Sequence, residues 1–225
     1  MLLHHASIRA TTGDQVTNNT FLGNDFSTPL LHVGAFVDSL TIRGNTFQDD
    51  DNNDTAIGVN ATATNINISN NRITLSGASG LTGITIGGEG GGTTSATVAL
   101  NEITTNGIGV GLQITPGAGT SVLNAKVEGN DFHGNAIGVL LLPGIGGPVS
   151  GIDLGGGALS SRGANNFRGF TAPASLTAGA IVAASSTSTG PVQAQGNLFS
   201  VADMPLDLLS IEVQFAASGE FQVNG

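Results

Sequence analysis

The sequence predicts an all-β solenoid of about seven turns, each made of three short strands. Three observations carry that prediction. One short phrase returns throughout the chain, apolar residues alternate within it, and the composition favours turns over charge.

The phrase is a run of alternating apolar residues ending in Asn, one variable residue, and then Phe or Ile. It reads QVTNNTF to Phe21, LTIRGNTF to Phe47, INISNNRI to Ile73, TVALNEI to Ile103, KVEGNDF to Phe132, RGANNF to Phe167 and VQAQGNLF to Phe199. Its asparagines, Asn19, Asn45, Asn71, Asn101, Asn130, Asn165 and Asn197, lie 26, 26, 30, 29, 35 and 32 residues apart. A fixed period of roughly 20–50 residues marks stacked supersecondary units.

Within the repeat, the period is two. Ile57 and Val59 share one face of AIGV, and Ile66 and Ile68 share one face of INIS. Such runs are too short for helices and alternate as strands do. The first-strand phrase recurs as LLHV (30–33), AIGV (56–59), GITI (83–86), GIGV (107–110), AIGV (136–139) and GAIVA (179–183), each between two motif asparagines. Equivalent strands then stack in parallel at about 4.8 Å per turn. Each motif Asn is expected to sit at a one-residue left-handed corner, its amide bonding along the stack. Phe21, Phe47, Ile73, Ile103, Phe132, Phe167 and Phe199 form a ladder inside.

Repeats occupy residues 1–199. Residues 200–225, with Pro205 and the apolar run 206–211, read as an atypical terminal turn or the start of a following element. Between first and second strands the connections lengthen from GGEGGGTTSA to TPGAGTSVLNA to the 143–162 insertion, a ridge beside which a binding face is expected. The chain begins and ends in strand-like text with no polar cap, so it is expected to be a piece of a longer exported or cell-surface protein.

The pattern I-x-I-x-x-N-x-[FI], a spacer, then G-I-x-V resembles the right-handed parallel β-helix repeat of the pectate-lyase-like superfamily, from about Gln15 to Phe199. That resemblance implies the fold. It does not single out a function, because lyases, hydrolases, epimerases, tailspikes and surface adhesins share it.

Composition narrows the field. Thirty-five glycines and only 10% charged residues suit short strands and tight turns. A net charge of −10 with a single lysine, Lys126, argues against nucleic acid as a partner. Zero cysteines exclude disulfides and thiolate metal sites. No run reaches the roughly 18 apolar residues of a membrane helix.

The outward first-strand positions read His32, Gly58, Thr85, Gly109, Gly138 and Val182, with no carboxylate pair for acid–base chemistry. Second-strand outward positions read Thr41 and Arg43, Asn67 and Ser69, Thr97 and Ala99, Lys126 and Glu128, Gln193 and Gln195. Without Trp or Tyr, the usual rings for stacking on sugars are missing. No catalytic residue is therefore assigned. The leading expectation is a non-enzymatic structural or adhesive module whose partner is a polysaccharide or cell-surface glycan. Its alternative is a fragment of a polysaccharide lyase or glycoside hydrolase, for which Asp153, Glu89 and Asp131 are the carboxylates to test. The acidic loop QDDDNNDT offers oxygen ligands at alternate positions, Asp49, Asp51 and Asn53, to a hard cation such as calcium. His4, His5, His32 and His133 are too scattered to predict a metal cluster.

Overall fold

Equivalent strands of successive repeats lie on one another in register, so the chain folds into three sheets rather than one. The computed structural model describes residues 2–3, 6–9, 11–23, 29–52, 54–60, 62–87, 92–115, 122–142, 151–169, 179–183, 192–201, 204–205, 213–215 and 221–222. Among them there is no helix. The first-strand sheet holds Ala6–Ile8, Leu31–Val33, Thr55–Val59, Thr82–Gly87, Val110–Thr115, Ile137–Leu141, Gly179–Ala183 and Val213–Phe215. In the second lie Gln15–Thr17, Thr41–Arg43, Ile66–Ser69, Thr93–Ala99, Val122–Glu128, Ile152–Gly155, Val192–Ala194 and Phe221–Gln222. The third runs from Leu2–Leu3 through Thr20–Leu22, Thr46–Asp49, Arg72–Leu75, Glu102–Thr104, Asp131–His133 and Asn166–Arg168 to Leu198–Val201. Neighbours in these stacks pair in parallel, the topology of a β-solenoid. Met204–Pro205 departs from it, pairing antiparallel with Leu198–Val201.

Alternation fixes the interior. Phe21, Phe47, Ile73, Ile103, Phe132, Phe167 and Phe199 occupy one register column and are buried. Phe21 and Phe47 stack at 4.5 Å between ring centroids, and Phe167 lies between Phe132 and Phe199 at 5.1 and 5.2 Å. Opposite this column the first-strand backbone must come close. A methyl group added to Gly83, Gly111 or Gly138 would run into Ile103, Phe132 or Phe167 respectively. Buried Ala56 and Ala180 continue that small-residue column.

The asparagines form a continuous ladder. From Asn19 to Asn165, each backbone N–H donates to Oδ1 of the motif Asn one turn on, at 2.9 to 3.1 Å. Each side-chain amide donates to the same Oδ1 at 2.8 to 3.3 Å. The second amide hydrogen of Asn45, Asn71, Asn101 and Asn130 reaches a second-strand carbonyl of the preceding turn. The left-handed residue is not the ladder Asn but the one before it: Asn18, Gly44, Asn70, Leu100, Gly129, Ala164 and Gly196 all have φ between 54° and 69°. Turning the chain there points the Asn side chain inward, where its amide is buried.

Two first-strand assignments shift. In the register, Leu112 and Ile114 follow Ile84 and Ile86, so GLQI (111–114) rather than GIGV (107–110) is the strand. Asn106 and Gly107 turn left-handed and Ile108 N–H bonds back to Thr105, which absorbs residues 105–109 in a corner. In the next turn Val139 and Leu141 face inward. The outward column is therefore His32, Gly58, Thr85, Gln113, Leu140 and Val182. Leu140 and Val182 pack there with Ile137, Val110 and Leu142 in a second apolar cluster.

Candidate functional site

Two features of the outer solenoid carry chemistry: an acidic corner and a groove. The corner begins where a strand ends. Alternation from the buried Phe47 turns Asp49 inward too, into the column that holds Leu75 one turn on. Asp49 is 5% exposed, and Gly23, one turn before, leaves it room; a Cβ on Gly23 would collide with Asp49 Oδ1. Asp49 Oδ1 accepts the Asp51 N–H at 3.0 Å, which turns the chain. Asn52 Oδ1 then accepts the amides of Ala78 and Ser79, and the Asp54 carbonyl accepts the Thr82 amide, so the following turn holds the corner in place. Asp54, 2% exposed, folds back toward Asp49. One carboxylate oxygen from each of Asp49, Asp51 and Asp54 lies within 4.8 Å of the others. Burial pushes the Asp49 carboxyl above its usual range, and Asp50 beside it adds to the rise, against the Asp51 and Asp50 amides and the Asp54 side chain. Asp49 and Asp51 thus come together, joined by Asp54; Asn53 lies outside the described residues.

The groove runs over the second-strand sheet. Thr41, Asn67, Thr97, Lys126, Asp153 and Gln193 form one register column on its outer side. Beside them, Ser95 and Asn124 form a second, and Leu159 overhangs both. Two adjoining depressions share Asn124 and Leu159; their surface is more apolar than polar, with the side chains of Asn67, Thr97, Asn124, Lys126 and Gln193 among the lining residues. The second strand Ile152–Gly155 lies inside the 143–162 insertion, so Leu159 belongs to the connection from second to third strand and not to the ridge expected between first and second strands. Residues 88–91, 116–121 and 143–150 lie outside the described residues.

The carboxylates suspected of catalysis have structural partners. Asp153 is 1% exposed; its Oδ1 accepts the amides of Gly155 and Gly157 and its Oδ2 that of Ser161, closing the 153–161 loop around it. Asp131, on the third-strand sheet, accepts two bonds from the Arg168 guanidinium at 2.9 and 2.6 Å and one from Asn166. These two acids stand on different sheets, and Glu89 lies outside the described residues. Sequence reasoning missed one juxtaposition: Glu102 is in register with Asp131 on the adjoining strand, with His133 3.9 Å from Glu102 and 3.6 Å from Asp131. The Asn-x-[FI] phrase itself could have shown it, because its variable residue always points outward. His32 stands on a different sheet from His133, and His4 and His5 lie outside the described residues.

No known protein family, curated protein or solved structure matches the chain. The class that its own geometry defines is the parallel β-solenoid.

Proposed function

We propose that this solenoid is a non-enzymatic structural or adhesive module of a longer exported or cell-surface protein, of the right-handed, pectate-lyase-like kind its repeat resembles. Its second-strand groove takes a polysaccharide or cell-surface glycan. The observation that carries this reading is the groove's lining: Asn67, Thr97, Asn124, Lys126 and Gln193 offer neutral amides and a hydroxyl with one cation. Donors and acceptors spaced by strand stacking, about 4.8 Å apart, suit the hydroxyls of a chain of sugars. Asp153, the groove's carboxylate, is spent on backbone amides and has no acid–base role.

A panel of neutral and uronate polysaccharides tests the reading, scored for binding and cleavage together. Binding without cleavage, lost in an Asn67→Ala, Thr97→Ala double variant, is the expected result. Cleavage would instead favour a second reading, a carbohydrate-active enzyme, for which the Glu102, Asp131 and His133 cluster supplies the groups. In that case Glu102→Gln removes turnover.

A further inference from the structure

We propose that Asp49, Asp51 and Asp54 bind one calcium ion, which ties the end of the Thr46–Asp49 strand to the start of Thr55–Val59. The three carboxylate oxygens lie within 4.8 Å of one another, the span of two opposite ligands each about 2.4 Å from one ion. The second observation concerns Asp49 alone. Its Oδ1 accepts the Asp51 amide, but Oδ2 is buried and receives no N–H or O–H donor. The group beside it is another carboxyl, that of Asp54. A buried carboxylate oxygen without a donor is costly unless a positive charge meets it.

A proton shared between Asp49 and Asp54 is the competing solution. One proton joins two oxygens, whereas three converge here, and convergence of several oxygens is what a hard cation requires. Calcium takes six to eight ligands, so water completes the shell. A groove lined by Leu22, Gly23, Gln48, Asp50 and Thr74 reaches Asp49 from outside. The Gly23 gap that lets Asp49 face inward is part of the same device. This proposal stands apart from the glycan reading: calcium binding is measured with no sugar present.

The test is calorimetric titration of the full chain with calcium chloride at neutral pH, paired with melting followed by circular dichroism in chelator or in millimolar calcium. One ion per chain and a higher melting midpoint in calcium are expected. Asp51→Asn and Asp54→Asn should each weaken binding about tenfold or more, while Glu102→Gln leaves it intact. Should Asp54→Asn fail to fold, Asp51→Asn decides, because that side chain is only half-buried in the corner. Wild-type protein that takes up no calcium would overturn the proposal. So would Asn variants that bind as well as wild type, or a chelated protein that gains stability on acidification and none from calcium.

Discussion

Asn71 donates twice to one atom: its backbone N–H and its side-chain amide both reach Oδ1 of Asn101 at 3.0 Å. The same side chain donates to the Ile42 carbonyl and accepts both donors of Asn45. Asn71→Ala therefore strands groups on both sides of its turn. Each buried group left unmatched costs about 1–3 kcal/mol, and we expect a loss of about 2–4 kcal/mol in chemical denaturation. Asn71→Asp should be worse at neutral pH, because a carboxylate cannot donate to Asn101 or Ile42. An Ala variant with an unchanged midpoint would remove the ladder from the account of stability.

Leu100 and Ala164 hold left-handed backbone, φ 58° and 54°, at positions where other turns use Gly or Asn. Left-handed geometry costs an L-residue about 1–2 kcal/mol. Glycine gives back about 0.5–1 kcal/mol through its freer unfolded chain. Ala164→Gly should therefore stabilise the fold by about 0.5–1 kcal/mol, with Leu100→Gly gaining less as it also loses its packing over Gly129. A destabilised Ala164→Gly would contradict the corner geometry.

Phe167 sits between two rings and against Gly138, so truncation cannot be filled from one side. Phe167→Ala should cost about 3–5 kcal/mol. Phe167→Ile, which copies the residue other turns place in this column, should cost markedly less. Equal losses for both would mean that column volume is not what matters there.

Acid should weaken the fold through two carboxyls. Hydrogen bonds from Thr64, Asn65 and Ser39 hold Asp38 below its ordinary range. Burial alone would raise Glu128, but the Arg162 amide and the Lys126 ammonium, with the Arg162 charge, outweigh it and hold it low. A depressed folded value means that the stabilisation is complete above the unfolded value, near pH 4, and disappears as pH falls through the folded one. Denaturation midpoints should drop across that acid range, less steeply in Glu128→Gln. The same slope in variant and wild type would clear Glu128 of any part.

The phrase Asn-x-[FI] made the two interior ladders legible, because a stacked column needs the same residue type in every turn. The second-strand outer column was legible for the same reason, from Thr41 to Gln193. Asp153 was not: its strand, Ile152–Gly155, hides inside an insertion of variable length and lacks the phrase. GIGV at 107–110 imitates a strand by its letters, yet the Asn106–Gly107 turn moves the pairing four residues on. In the acidic loop, spacing by alternation reached Asp49 and Asp51 but missed Asp54, because alternation stops where the strand does.

The ladder has a direction. Between rungs, every Asn from Asn19 to Asn165 donates to the Asn of the later turn and none donates to the Asn of the earlier one, so the side-chain dipoles add along the coil axis instead of cancelling. Lengthening the rod is thus a different chemical task at its two faces. A turn laid beyond Asn197 must present an acceptor to continue the row; one laid before Asn19 must present donors.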